Sequence, residues 1–260
     1  VDQPMTEDTP PPPHVFSLVT HYPIASDWEA GAEVDLTAYH EHAIRDAAEQ
    51  FDTRETTLSH LLRYPTPLLR GEAFGAALAR ALDAHLHQGA KVLEVGGGTG
   101  WVAQRILESR PDLDYTIVDL SPALSAAQSK RLGEMGHRVS CQVGSALNLP
   151  IDDASVDVLV NNEVIADLEA ASVSPDAPPD VVSRLGVVPE FPRVTNVGAL
   201  AFLEEIHRVL RPGGIAYVME YGGVDEAPRE AVHLDHGEVG IEWGVLARAA
   251  EHLGFAKVAL

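Results

Sequence analysis

Apolar and polar positions change period along this chain, and the changes mark where its elements fall. Short apolar runs at residues 91–95 (KVLEV), 115–120 (YTIVDL), 139–143 (VSCQV), 156–160 (VDVLV) and 215–220 (IAYVME) have the length and β-branched content of buried strands. Between them apolar residues recur at helical spacing over 101–107, 123–135, 200–210 and 244–253. Arg211-Pro-Gly-Gly stops the third of these helices. Strands alternating with helices predict an α/β fold with a mainly parallel sheet. A sixth strand is expected to begin at Phe255.

The amino-terminal part reads differently. Four prolines at 10–13 make an extended tail, and residues 15–20 suit a short strand or a docking segment. Helices are expected at 36–51, with Asp35 as N-cap, at 56–63, and at 72–87, where Ala and Leu are abundant. Pro65 and Pro67 separate the last two. The chain therefore divides into a tail and helical cap at 1–70 and a main domain at 71–260. A stretch at about 169–197 holds Pro175, Pro178, Pro179, Pro189 and Pro192 and reads as a long insert, of the kind that forms lids or binding loops.

The first strand stops abruptly at Gly96, Gly97 and Gly98, with Gly100 just beyond. Glycines here let the backbone turn tightly and come close to a ligand at the carboxyl edge of the sheet. Their spacing is G-x-G-x-G, and Trp101 stands where a dinucleotide fingerprint needs its third glycine. The Gly-Lys-Ser/Thr ending of a phosphate loop is absent as well. The form EVGGGTG resembles motif I of the class I S-adenosylmethionine-dependent methyltransferases. Four further segments match that family in order: Asp119 ending the second strand, GSALNLP at 144–150, LPIDDASVDVLVNNEV at 149–164, and EIHRVLRPGGI at 205–215. The resemblance spans about residues 88–222.

The resemblance implies a Rossmann-like fold with S-adenosyl-L-methionine as cofactor. It implies that Glu94, Gly96, Gly97, Gly98 and Gly100 lie beside the methionine portion. Asp119, with Leu120, would meet the ribose, where a carboxylate supplies acceptors for two vicinal hydroxyls. Gly144, Ser145 and Ala146 would lie at the adenine. Ser145 departs from the acid often found there, which weakens that contact and leaves the Ala146 N–H as a substitute. Asp157 would open the fourth strand, and Asn161 and Asn162 at its end would face the transferable methyl group.

Composition narrows the substrate. Eighteen Lys and Arg against 39 Asp and Glu give a formal net charge of -21, a surface that repels phosphate backbones and so disfavours nucleic acid. No apolar run approaches the roughly 20 residues of a membrane span, and the start lacks the pattern of a signal peptide. The lone Cys141 fits a reducing cytoplasm and reads as a core residue. A small-molecule substrate is expected, and a homodimer stays open. The chain holds 12 histidines and none announces a metal site; the pairs at 40 and 42 and at 85 and 87 point apart on helices, and 233 and 236 make a short cluster only.

The reaction expected is transfer of a methyl group to an oxygen or nitrogen of a small metabolite by in-line displacement. Candidate catalytic residues are Glu163 and Tyr221, just past strand ends, His14 and His21 in a segment that could close over the site, and His233 and His236 on the substrate side. Other readings stay open. The fold also serves proteins that bind the cofactor for a non-methylating rearrangement, or that act as partner subunits. NEVIADL at 162–168 and MEYG at 219–222 faintly resemble MidA-like protein arginine methyltransferases. An aminopropyltransferase would want an acid where Asn161 and Asn162 stand.

Overall fold

The computed structural model describes residues 61–133, 139–233 and 236–260, with 231–233 and 236 described at the level of the backbone. The expected tail, the helix at 36–51, His14 and His21 lie outside these residues; of the helix at 56–63, residues 61–63 are helical.

Five strands make the central sheet: β1 (Lys91–Val95), β2 (Asp114–Asp119), β3 (Val139–Val143), β4 (Val156–Asn162) and β7 (Leu210–Met219). Their order is β3-β2-β1-β4-β7, and every neighbouring pair is parallel. The chain runs outward from β1 to one edge, then returns to lay β4 on the other side of β1. The order reverses beside β1, and a cleft opens at the carboxyl ends of the strands on either side of such a reversal. The α/β, Rossmann-like expectation holds.

Alternating side chains along each strand feed two cores. Val92, Tyr115, Ile117, Val158 and Val160 face α1 (Phe74–Ala81) and α2 (Trp101–Ser109). Leu93, Val95, Val118 and Leu159 face the other way, toward α5 (Val197–Val209) and α6 (Trp243–Leu253). Burial on both faces explains why these strands read as continuous apolar runs. Between β2 and β3 runs α3 (Pro122–Gly133). The expected helix at 72–87 is shorter: α1 ends at Ala81, and a single 3-10 turn, Asp83–His85, follows.

Two expectations are corrected. The stretch at 169–197 is built structure rather than a long loop. It holds an antiparallel pair, β5 (Ala171–Val173) with β6 (Arg193–Thr195), and the short helix α4 (Asp180–Arg184). Val173, Val182, Leu185 and Val187 enter the core on the α5 side, so the prolines punctuate packed elements. The second correction is at Phe255, which starts no strand. Gly254 takes the left-handed conformation at φ 97, and the Phe255 N–H donates to the Ala250 carbonyl at 3.1 Å. That closure folds the chain back over the end of α6, and the Phe255 ring meets His207 of α5 edge-on, with centroids 5.4 Å apart.

Past β7 lie four short strands: β8 (Gly222–Gly223), β9 (Glu230–His233), β10 (His236–Val239) and β11 (Ile241–Glu242). β9 and β10 form a hairpin, and β11 runs parallel to β8. No described helix is long and apolar enough to cross a membrane.

Candidate active site

The glycine turn lies at the carboxyl end of β1, between β2 and β4. Gly96, Gly98 and Gly100 adopt φ of 73, 51 and 83, the left-handed region in which a side chain is strained. Their surroundings differ. A Cβ on Gly96 would collide with Val164 Cγ2, whereas a Cβ on Gly98 would meet nothing within 4 Å. Gly96 thus passes under the turn that leaves β4, and Gly98 presents bare backbone on an open side.

Beneath the turn sits Glu94. It is buried, and its Oε2 accepts the Tyr115 phenol at 2.8 Å. Removal from water pushes its carboxyl up to about 8, although the Tyr115 hydrogen bond lowers it and nearby Asp119 raises it further. A Cβ on Gly97 would lie 3.5 Å from the Glu94 carboxyl carbon, so the acid supports the turn from below.

Asp119 ends β2, the strand next to β1, and is also buried. Its Oδ1 accepts the Ser121 N–H at 2.9 Å and its Oδ2 the Gln128 amide at 3.0 Å. The carboxylate is therefore oriented before any ligand arrives. Leu120 follows at the strand end, half-buried. Gly144, after β3, donates its N–H to the Asp119 carbonyl at 2.9 Å, and a Cβ there would press on Pro150 and Val118. The Ser145 hydroxyl accepts the Leu147 N–H at 3.1 Å, so it closes a local turn. Ala146 packs partly against the core. This segment is clamped from α5: Glu205 accepts the Leu149 N–H at 2.8 Å, and Arg208 donates to the Leu149 and Ile151 carbonyls at 3.0 and 2.8 Å.

On the other side of β1, Asn161 and Asn162 belong to β4 itself rather than following it. Asn161 is fully buried and donates to the Val95 carbonyl at 3.0 Å. The Oδ1 atoms of both asparagines are buried and accept no hydrogen bond from the described residues. Asp157 lies at the far, amino-terminal end of β4. It accepts the Lys91 N–H at 2.7 Å and pairs with Arg211 and His87, which ties the ends of β1, β4 and β7 together away from the cleft.

Glu163 follows β4 with φ 57, and its N–H donates to the Met219 carbonyl at 2.8 Å. Beyond it a 3-10 turn, Ile165–Asp167, presents the Ala166 N–H to Glu220 Oε2 at 3.2 Å. Burial first, and the neighbouring Glu163 next, push the Glu220 carboxyl well above the usual carboxylate range. Tyr221 sits against Gly240, its Cε2 2.9 Å from where a Cβ would be. Its hydroxyl is buried without a hydrogen-bond partner among the described residues. Burial, then the charges of Glu238, Glu220, Asp167 and Glu163, hold the Tyr221 phenol far above its usual value and so protonated. His233 and His236 are paired residues of the β9–β10 hairpin.

The structure thus brings the glycine turn, Asp119, Gly144, Asn161, Asn162 and Glu163 to one edge of the sheet. It adds residues with no sequence signal of their own: Tyr115 under Glu94, Gln128 on Asp119, Val164 over Gly96, and the acids Glu220 and Glu238 around Tyr221. Among the described residues no group of three His, Cys, Asp or Glu side chains is arranged to hold a metal ion.

A parallel sheet reversing beside β1, a glycine turn open at Gly98 and an oriented acid on the next strand make a cleft whose chemistry suits an adenosine-containing cofactor. The donor set suits S-adenosylmethionine: carboxylate for the hydroxyls, bare backbone for close approach. Residues 92–174 match the sequence profile of a family described as methyltransferase domain. That match and the strand order support a class I S-adenosylmethionine-dependent methyltransferase domain, with S-adenosylmethionine as the cofactor of that class.

Relatives agree. The chain is 26% identical over 183 residues to a ubiquinone/menaquinone biosynthesis C-methyltransferase of Methylobacterium nodulans, covering 70% of this chain and 58% of that protein. It is 34% identical to the protein of the same name from Rubrivivax gelatinosus, over 51% of this chain and 40% of that one. It is also 34% identical to a phthiotriol/phenolphthiotriol dimycocerosates methyltransferase of Mycobacterium leprae, over 50% of this chain and 37% of that one. The chain thus spans 37–58% of the length of these relatives. A solved structure, described as a putative S-adenosyl-L-methionine-dependent methyltransferase from Methanococcus maripaludis, aligns at 16% identity and TM-score 0.44, over 66% of this chain and 61% of that one. That likeness is too slight to add to what the strand order already says.

Proposed function

We propose that this protein transfers the methyl group of S-adenosylmethionine to an oxygen or nitrogen of a small metabolite by in-line displacement. The observation that carries the reading is the open backbone of Gly98 one strand away from the oriented carboxylate of Asp119. Asp119 takes the ribose hydroxyls, the glycine turn cradles the methionine portion, and the Ala146 backbone receives the adenine, beside a Ser145 hydroxyl that accepts the Leu147 N–H. Asn161 and Asn162, with their buried acceptor atoms, face the reacting end.

The cofactor supplies an already activated methyl group, so the protein has to align an acceptor and exclude water. Tyr221, protonated throughout the physiological range, donates a hydrogen bond that orients the acceptor. Glu163, at the end of β4, receives its proton. Glu220, its carboxyl raised by burial, holds the 3-10 turn in place by accepting the Ala166 N–H.

A carbon acceptor is the second reading, favoured by the C-methyltransferase names of the relatives from Methylobacterium and Rubrivivax. The test is incubation with S-adenosylmethionine and a panel of small phenols, carboxylates, amines and quinols. Accumulation of S-adenosylhomocysteine only when an acceptor is present supports methyl transfer. Conversion of an acceptor with no consumption of S-adenosylmethionine would instead identify a rearrangement.

A further inference from the structure

Helix α3 turns one face toward the glycine turn. From that face the Gln128 side chain, fully buried, donates one amide N–H to the Gly98 carbonyl at 2.8 Å and the other to Asp119 Oδ2 at 3.0 Å. Two acceptors on the nitrogen side fix which way the amide points, because the reverse orientation would set its oxygen against a carbonyl and a carboxylate. Three residues on, and on the same helical face, Arg131 Nε donates to the Thr99 carbonyl at 2.7 Å. Its guanidinium lies 3.7 Å from the centre of the Trp101 ring. Two successive peptides of the turn are thus held from α3. Of the two side chains that hold them, Gln128 bonds the acid as well.

We propose that Gln128 is a positioning residue for the cofactor, one amide that locks the carboxylate of Asp119 and the glycine turn into a single unit. The inference rests on the reading of Asp119 as the ribose acceptor. Ser121 and Gln128 together hold both oxygens of Asp119, which sets the carboxylate plane. The Gly98 bond sets that plane relative to the backbone the methionine portion must approach. Ligand binding then loses less freedom, because the acid and the turn are already registered to each other. A space-filling role would need only the shape of the side chain under Gly100, where its Cγ lies 3.6 Å from a built Cβ.

The two roles separate in a double-mutant cycle read by calorimetric titration of S-adenosylhomocysteine. Gln128→Met keeps the length and loses both donors. It is expected to weaken binding about tenfold, with thermal melting followed alongside. Asp119→Ala is expected to weaken it more, by roughly thirtyfold. Combined, the two are expected to lose little beyond Asp119→Ala alone, within about twofold, because the bond to Asp119 is then already gone. Arg131→Met, which disturbs the turn without touching Asp119, should instead multiply with Asp119→Ala.

Affinity of Gln128→Met within twofold of the parent, or losses at Gln128 and Asp119 that simply multiply, would overturn the proposal. If Gln128→Met does not fold, Gln128→Asn, which withdraws the amide by one methylene, takes its place in the same cycle with the same two criteria. A parent protein that binds no S-adenosylhomocysteine would overturn the cofactor reading itself, and this inference with it.

Discussion

Tyr115 on β2 donates its phenol hydrogen bond to Glu94 on β1 at 2.8 Å, and the two side chains are buried together under the glycine turn. Burial raises the Glu94 carboxyl from 4.5 to about 8, so the folded protein keeps a proton that the unfolded chain gives up. The corresponding stability is present in full below the unfolded value and is lost as pH rises through the folded one. A tenfold difference in proton affinity between the two states is worth ~1.4 kcal/mol, so the loss is on the order of 3–5 kcal/mol. Glu94→Gln resembles the protonated acid at every pH. The variant and the parent should therefore melt together near pH 5, and the variant should melt several degrees higher near pH 9. Parallel melting curves across that range would mean that Glu94 is ionised in the fold.

The glycines of the turn make a second prediction by their difference. A residue other than glycine in the left-handed region costs roughly 1–2 kcal/mol. Gly98→Ala bears only that cost, since its Cβ would enter open space, while Gly96→Ala must also displace Val164. Gly98→Ala should fold with a modest fall in melting temperature and lose S-adenosylhomocysteine affinity by tenfold or more. Gly96→Ala should be the less stable protein. Unchanged affinity in Gly98→Ala would show that the open side of the turn is not where the ligand lies.

Sequence carried the sheet and the turn well, and for a physical reason. Strands buried on both faces are continuous apolar runs, and β1, β3 and the Gly96–Gly100 turn stand where such runs and glycines stand. The stretch at 169–197 is harder to read. Its strands are three residues each and its prolines fall between them, so neither period can build up. Phe255 is apolar and follows a helix, as a sixth strand would. Only the left-handed Gly254 sends it back against α5, and that glycine is equally at home before a strand.

The site divides the same way. Glu94, Asp119 and the glycines are legible because backbone turns and strand ends constrain residue type. Gln128 is not, because a lone glutamine within a helical pattern has no period or neighbour that distinguishes it from a solvated one. Its role comes from the fold, which lays α3 across the turn.

Tyr221 offers a test of the acceptor side. Its hydroxyl is buried with no hydrogen-bond partner among the described residues, so removing it leaves no other described group unsatisfied. Tyr221→Phe should keep its stability within about 0.5 kcal/mol or gain slightly. If the hydroxyl orients the acceptor, turnover should fall at least tenfold while cofactor affinity stays the same. Full turnover in Tyr221→Phe would remove it from the mechanism and leave Glu163 as the residue to vary next.

On this reading the cleft beside β1 binds S-adenosylmethionine. The deciding measurement is calorimetric titration of S-adenosylmethionine and S-adenosylhomocysteine into the protein, with NAD as control. Micromolar binding of both sulfur ligands is expected, weakened by Asp119→Ala, and none of NAD. Binding of NAD, or a folded protein that takes neither sulfur ligand, would contradict it.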